Sequence, residues 1–252
     1  HLTKTFNDYN YATFQGSLNY NRTFGKHDIA ALFLIETREG DNANFNAYRE
    51  YIIDSLDELN AGVDKNKNNG GSSSEESNIG YVGRINYAYD NKYLLEFSFR
   101  YDGSSKFPSN SRWGFFPSVS AGWRISQESF IKDNLSFVND LKLRASWGRL
   151  GDDDLRDPNK PDEVPSLFQF LSGYTYPSGG YILGTVGLTP GLTSKGLANP
   201  NITWYTADLY NVGLDGRLWN GLLGFEIDVF YRKRNDLLAT RVNTLPGTFG
   251  AS

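Results

Sequence analysis

The chain has 252 residues, which is enough for one or two ordinary domains or for one large β domain. Its 25 basic and 29 acidic side chains give a net charge of −4, whereas a nucleic-acid-binding protein needs a net basic surface, so we expect no nucleic-acid partner. Cysteine is absent and only two histidines occur, which excludes disulfides, thiolate chemistry and cysteine-ligated zinc.

Apolar and polar residues alternate with a period of two through most of the chain. In 113–125 every odd position is apolar, and the even positions are small or polar except Phe116. Segments 93–101 and 223–231 repeat this pattern, and aromatic residues reach 15% of the chain. Such alternation predicts strands whose two faces meet different environments.

The alternating segments define eight predicted strands. Most have ten or more residues, against about five or six in an ordinary globular strand. A tilted strand needs about 9–11 residues to cross the hydrocarbon layer of a bilayer, so the lengths favour a membrane barrel. The predicted strands are 9–24, 29–38, 78–89, 92–102, 113–125, 140–150, 204–218 and 222–237.

Short and long connections alternate strictly along these strands. The short ones include Asn220-Gly221, a strong hairpin signal, and 126–139, which carries a predicted helical turn. The long ones are 39–77, 103–112 and 151–203. Outer-membrane barrels show this asymmetry, with short periplasmic turns and long extracellular loops.

Two of the long loops invite more detailed predictions. In 39–77, residues Tyr48, Ile52, Leu56 and Leu59 recur at helical spacing after Asn46, which predicts a short helix there. Residues 65–77 are rich in Asn, Gly, Ser and Glu, so we expect them to be mobile. Loop 151–203 is too long for a plain connector, so we expect it to cover or line something.

Five segments resemble SusC/RagA-type TonB-linked outer-membrane receptors. They are 91–107 (NKYLLEFSFRYDGSSKF), 112–125 (RWGFFPSVSAGWRI), 141–148 (LKLRASWG), 211–215 (NVGLD) and 231–238 (YRKRNDLL). The resemblance covers most of the chain and is weakest in loops 39–77 and 151–203.

This resemblance implies an all-β fold, an antiparallel transmembrane β-barrel segment of about eight strands from a 22-stranded barrel. It implies residence in a Bacteroidota-type outer membrane and import of oligosaccharides or peptides, without cofactor or catalytic residue. The implied partners are a SusD-like surface lipoprotein, outer-membrane lipid and TonB. No segment of residues 1–252 resembles the plug domain or the TonB box. We therefore expect residues 1–252 to be one part of the barrel domain, and other parts of the receptor to contact TonB.

The alternation assigns candidate residues to the two faces of the barrel wall. Six apolar residues are lipid-facing candidates: Phe97, Phe99, Trp113, Phe115, Trp123 and Tyr231. The alternative for these is the core of a soluble sandwich. Eight charged residues are lumen-facing candidates: Arg84, Glu96, Arg100, Arg124, Lys142, Arg144, Asp228 and Arg232. The alternative for these is a solvated wall with cross-strand pairs.

Aromatic residues in or beside the longest loop are candidates for ligand contact, because their ring faces can stack on sugars. They are Tyr174, Tyr176, Tyr181, Trp204 and Tyr205. The alternative is packing within the loop or against the lipoprotein partner.

Two further groups of residues are weaker candidates. Asp152, Asp153 and Asp154 are calcium candidates through their oxygen ligands, but the EF-hand spacing is missing and a solvated acidic loop is favoured. His27 beside Asp28 is interpreted as a turn residue rather than a catalytic one. Two other functional classes stay open at this point, a soluble or surface all-β glycan-binding module and an outer-membrane enzyme.

Overall fold

The computed structural model describes residues 1–52, 57–155, 167–182, 184, 188–195 and 198–236. Eight strands form one open antiparallel sheet in the order β1-β2-β3-β4-β5-β6-β9-β10, and two more form a separate hairpin, β7-β8. Their bounds are β1 Leu2–Phe24, β2 His27–Glu50, β3 Val63–Tyr89, β4 Tyr93–Ser104, β5 Trp113–Arg124, β6 Val138–Asp152, β7 Tyr174–Ile182, β8 Leu188–Ser194, β9 Tyr205–Leu218 and β10 Leu223–Asn235. The prediction of eight long strands in one antiparallel sheet is confirmed.

Helical structure is minor among the described residues. A four-residue helix, α1 (Ser129–Lys132), lies between β5 and β6, where the sequence predicts a helical turn. Two single 3₁₀ turns occur, at Leu59–Ala61 and at Ile125–Gln127. In the described part of the chain, no helix has the length and apolar character needed to span a membrane.

The short connections are tight turns built from residues that tolerate positive φ. Asn220 and Gly221 have φ of 56° and 84°, and the Leu222 amide donates to the Trp219 carbonyl at 3.1 Å. Asp90 and Asn91 have φ of 51° and 54° in the turn between β3 and β4. These are the positive dihedrals of a type I′ turn, whose twist matches that of the flanking strands. The hairpin predicted at Asn220-Gly221 is therefore confirmed.

The first long connection differs most from the prediction. The helix predicted around Tyr48 and Leu59 is wrong: β2 continues to Glu50, and only a 3₁₀ turn lies at Leu59–Ala61. Residues 65–77, expected to be mobile, are part of β3. The reason is cross-strand pairing, since β2 and β3 stay in register from His27↔Tyr89 to Tyr48↔Asn68. Leu56 of the predicted helix lies outside the described residues.

The third long connection folds back on the end of the sheet. Residues of the three segments 103–112, 153–155 and 199–204 pack with β5 into the main hydrophobic core of the described residues. Its buried side chains are Phe107, Phe116, Leu155, Ile202 and Trp204. A sheet with both faces meeting solvent or lipid has no interior, so the core forms where the loops cover one end.

The opposite end of the sheet is a rim of connected turns. The Asp90 amide donates to the Lys26 carbonyl at 2.7 Å, and the Arg124 amide donates to the Lys92 carbonyl at 2.8 Å. Lys26 Nζ also pairs with Asp90 Oδ2 at 3.0 Å. These bonds join neighbouring turns, so the rim holds the ends of several strands in one arrangement.

Candidate functional site

The strand register separates the candidate wall residues into two sets. Tyr93↔Trp123, Phe97↔Val119 and Tyr101↔Phe115 pair across β4 and β5, so odd positions of both strands share one face. All six predicted lipid-facing residues lie on this side, which we call the apolar face: Phe97, Phe99, Trp113, Phe115, Trp123 and Tyr231. All eight charged candidates lie on the opposite side, the polar face: Arg84, Glu96, Arg100, Arg124, Lys142, Arg144, Asp228 and Arg232.

The apolar face is open, and aromatic rings mark both of its ends. Near the long loops, Trp113 stacks on Tyr101 with ring centroids 4.9 Å apart. Near the short turns, Tyr89 stacks on Tyr93 at 6.4 Å. Side chains between these rows, such as Phe97, stay exposed, and the only other sheet in the described residues is the β7-β8 hairpin. Among the described residues, the packed second sheet of a soluble sandwich is not observed.

One carboxylate anchors the aromatic row near the short turns. Glu128, between β5 and α1, accepts hydrogen bonds from Tyr93 Oη at 2.7 Å and from Trp123 Nε1 at 3.1 Å. Lys92 Nζ lies 3.5 Å from its other oxygen. The hydrogen bond from Tyr93 and that from Trp123 lower the pKa of Glu128, because both stabilise the charged carboxylate.

The polar face carries a charge network centred on Arg144 of β6. Its Nε lies 3.0 Å from Asp215 Oδ1 on β9, and its Nη2 lies 2.8 Å from Glu226 Oε1 and 2.7 Å from Asp228 Oδ2 on β10. The side chain therefore spans β9 completely. Gly213 makes this reach feasible, because a Cβ there would lie 2.6 Å from Arg144 Cζ.

The polar face is concave near the short turns. A recess of about 630 Å³ is lined by residues of β1 to β6 and β9, including Asn21, Glu96, Lys142, Arg144 and Asn211. Because β1 and β9 lie six places apart in the sheet order, a shared recess requires the sheet to curve. The curvature turns the polar face inward.

The loop aromatics fall into two groups. Trp204 is only 8% exposed: its ring packs against Phe107 and Phe116, and Nε1 donates to the Arg112 carbonyl at 3.2 Å. The Trp204 ring is therefore buried in loop packing, the alternative to ligand contact. Tyr205 is partly buried at the start of β9. Tyr174, Tyr176 and Tyr181 are exposed on β7, an element that the sequence analysis did not identify.

The acidic candidates engage nearby cations and hydroxyls instead of converging. Asp153 Oδ2 accepts from Ser104 Oγ at 2.8 Å and lies 3.3 Å from Lys106 Nζ. Asp152 Oδ1 accepts from the Asp154 amide at 3.0 Å. Within the described ranges, no group of three or more acidic, histidine or cysteine side chains is placed to hold a metal ion.

His27 belongs to the aromatic row near the short turns. Its Nδ1 lies 2.7 Å from Tyr87 Oη, and its ring centroid lies 4.9 Å from that of Tyr89. Asp28 is the next residue of the same strand and so points to the other face. A His-Asp pair of the catalytic kind is therefore not formed.

Comparisons with known proteins agree with this architecture. The model of the family "TonB dependent receptor-like, beta-barrel" matches residues 2–251. The TonB-dependent receptor SusC of Bacteroides thetaiotaomicron is 38% identical over 161 residues, which are 64% of this chain and 15% of the relative. The TonB-dependent receptor P39 of Formosa agariphila is 32% identical over 238 residues, covering 93% of this chain and 21% of the relative.

Among solved structures, that of the RagAB peptide transporter superimposes with a TM-score of 0.80 at 25% identity, covering 98% of this chain and 26% of that one. The chain thus spans between 14% and 22% of the length of the curated relatives that it matches. With its open eight-stranded sheet, it belongs to the TonB-dependent receptor-like β-barrel family, whose members are receptors and transporters of the bacterial outer membrane.

Proposed function

We propose that this chain forms part of the wall of a TonB-dependent outer-membrane importer whose cargo is an oligosaccharide. The observation that carries the proposal is the separation of the two faces, which holds from β1 to β10. The apolar face, with Phe97 and Phe115, meets lipid, and its aromatic rows lie at the two headgroup layers. The polar face lines the lumen, where water or cargo solvates Arg84, Glu96 and Arg232.

The partners follow from the two ends of the sheet. The long-loop end, with its packed core around Trp204, meets a SusD-like surface lipoprotein that delivers cargo. TonB acts from the side of the short turns, through parts of the receptor other than this barrel segment. The proposed function requires no covalent chemistry, since binding and passage through the lumen suffice.

Peptide import is the second candidate. It is favoured by the match to the RagAB peptide transporter, which covers 98% of this chain. The exposed tyrosines Tyr174, Tyr176 and Tyr181 suit either cargo, because a tyrosine ring offers an apolar face and a polar hydroxyl.

Uptake by living cells tests the proposal. A strain that lacks the receptor gene is complemented with the wild-type receptor, and uptake of labelled oligosaccharides and of labelled peptides is measured with and without a functional TonB. Oligosaccharide uptake that needs both the receptor and TonB is expected. If only peptides are taken up, the cargo is a peptide and not an oligosaccharide. If both probes are taken up equally without the receptor, the proposed importer function is wrong.

A further inference from the structure

The first three strands extend far beyond the rest of the sheet. Trp113 of the upper aromatic row is in register with Gly103, Ile79, Thr37 and Phe14. Beyond that row, residues 3–11 of β1, 40–48 of β2 and 68–76 of β3 continue in unbroken register. We call these three segments the ribbon. Nine residues at about 3.3 Å each carry it roughly 30 Å along the strand direction past the neighbouring row.

Charge is separated between the two faces of the ribbon. The side that continues the apolar face carries Lys4, Asp8, Asp41 and Glu75. The side that continues the polar face, which we call the inner face, has Glu76 as its one charged residue, and Glu76 pairs with Lys106 at 3.6 Å. The other inner residues are Thr3, Thr5, Asn7, Tyr9, Tyr11, Gly40, Asn42, Asn44, Asn46, Tyr48, Asn68, Gly70, Ser72 and Ser74. Solvation alone would place charges on both faces.

Glycines flatten this inner face and position its larger side chains. The Tyr11 ring rests on Gly40, where a Cβ would lie 2.8 Å from Tyr11 Cε1, and Tyr11 is nevertheless 64% exposed. Opposite Asn46 lies Gly70, where a Cβ would be 3.3 Å from Asn46 Oδ1. Amides and rings are thus spread over a flat surface, and Tyr9 beside them is also exposed.

The amides of the inner face are partly paired and partly available. Asn44 Nδ2 donates to Ser72 Oγ at 2.9 Å, and the Ser72 amide donates to Asn44 Oδ1 at 3.1 Å. The neighbouring Asn42 Oδ1 is buried and has no hydrogen-bond partner among the described residues. An acceptor removed from water without a partner is costly, so a turn of the Asn42 amide toward a ligand hydroxyl at the surface would be favoured.

This chemistry selects the ligand class. Neutral amides and hydroxyls both donate and accept, which matches a sugar hydroxyl, and tyrosine rings supply rigid contact area at low entropic cost. A peptide or an acidic glycan brings charges, and the inner face offers them no counter-charge beyond the already paired Glu76. A protein partner is the competing occupant, since Tyr, Ser, Gly and Asn also dominate antibody paratopes.

We infer that the inner face of the ribbon binds an uncharged oligosaccharide, with Tyr9 and Tyr11 stacking on its rings and Asn42 and Asn44 bonding its hydroxyls. The inference rests on the proposed importer function and adds the site and the charge class of the cargo. Because the inner face continues into the polar face of the sheet, an oligosaccharide bound there already lies in line with the lumen.

The test uses the intact receptor, purified in detergent, and isothermal titration with named probes. The neutral probes are maltoheptaose, xylohexaose and mannohexaose, the acidic probe is oligogalacturonate, and the peptide probe is a tryptic digest of casein. Wild type is expected to bind a neutral probe, and the double variant Tyr9→Ala/Tyr11→Ala to bind it about tenfold more weakly or worse. Tyr9→Phe/Tyr11→Phe keeps the rings and should stay close to wild type.

The matched control is Asn10→Ala, which lies between the two tyrosines and on the other face of β1. It should bind within about twofold of wild type, which shows that truncating a side chain in this part of β1 does not by itself weaken binding. Lack of binding to every neutral probe, equal binding by the tyrosine variant, or ribbon-dependent binding of oligogalacturonate or peptides would overturn the inference. The inference would also be overturned if the lipoprotein partner no longer co-purified with the tyrosine variant while the affinity of that variant for the neutral probe was unchanged.

The same variants in cells separate this inference from the proposed function. If uptake remains TonB-dependent and the tyrosine variant transports like wild type, the ribbon site is wrong and the importer assignment stands. If deletion of the receptor changes the uptake of no probe, the importer assignment itself fails.

Discussion

Arg144 of β6 reaches Asp228 of β10 across the full width of β9, with Nη2 and Oδ2 2.7 Å apart. Adjacent strands lie about 4.8 Å apart, so one guanidinium joins strands that are not neighbours. The same side chain contacts Asp215 and Glu226, which makes it the common partner of three carboxylates on the polar face. The contact depends on Gly213, the residue of β9 that lies between the two partners.

Replacing Gly213 by alanine should destabilise the receptor. The new Cβ would lie 2.6 Å from Arg144 Cζ and 2.8 Å from Asp228 Oδ1, so the ion pair must move. We expect a loss of about 1–3 kcal/mol in the free energy of unfolding, measured by urea titration of the receptor in detergent. Gly224→Ala is the matched control on β10, since its nearest atom would be 4.0 Å away. Equal effects of the two variants would contradict the role of Gly213.

Arg144→Met should cost more stability than Arg232→Met. Removing the Arg144 guanidinium leaves Asp215, Glu226 and Asp228 facing one another without their shared cation. The expected loss is modest in absolute terms, because water partly screens the network. Arg232, on the same face, forms no ion pair with another described residue, and its replacement should stay within about 0.5 kcal/mol. The same titration compares both, and equal losses would mean that the network contributes nothing.

The pH dependence of stability should report on Glu128. Its pKa is lowered in the folded protein, first by the hydrogen bond from Tyr93, so its stabilising effect is present above the ordinary glutamate pKa. The effect disappears as the pH falls through the lowered pKa, because the carboxylate is then protonated in both states. Unfolding midpoints of wild type and Glu128→Gln should therefore differ near neutral pH and converge in acid.

Tyr93→Phe provides the internal check on that pH profile. It removes the hydrogen bond that contributes most to the lowered pKa of Glu128, so the loss of stability in acid should be smaller than in wild type and complete at a higher pH. An unchanged profile would show that the Tyr93 bond does not set the titration of Glu128.

A charge introduced on the apolar face should be far more harmful than one on the polar face. Val119 and Ser120 are consecutive in β5 and point to opposite sides of the sheet. Val119→Lys is expected to cost about 2–4 kcal/mol, the cost of a lysine near the bilayer midplane. Ser120→Lys, which faces the recess, should leave stability nearly unchanged. Folding into lipid vesicles, followed by the heat-dependent gel shift of barrels, measures both, and similar yields would contradict the assignment of the faces.

Trp204→Ala should loosen the long-loop end. The ring fills the core between Phe107 and Phe116, and truncating a buried aromatic costs about 3–5 kcal/mol. We expect new protease cleavage in segments 153–155 and 199–203, which pack at this core, while the eight-stranded sheet stays resistant in limited proteolysis of the receptor. Trp219→Ala, at an exposed position of the short-turn rim, is the control and should leave the pattern of fragments unchanged.

The sequence alone determined the strands whose two faces differ strongly in polarity. In 93–101 and 113–125 large apolar residues alternate with small or charged ones, so strand, face and hairpin could be predicted locally. The six apolar wall candidates share one face of the sheet and the eight charged candidates share the other. The family resemblance came from these same segments.

The tertiary structure decided whatever depends on partners distant in the chain. In 40–48 the alternation is of Asn with Ala and Phe, which has little hydrophobic contrast, so only pairing with 3–11 and 68–76 defines it as strand. Likewise, the burial of Trp204 depends on Phe107, and the reach of Arg144 depends on Gly213 and Asp228. A periodic pattern is a local property, whereas register, burial and cross-strand ion pairs arise only when distant segments meet.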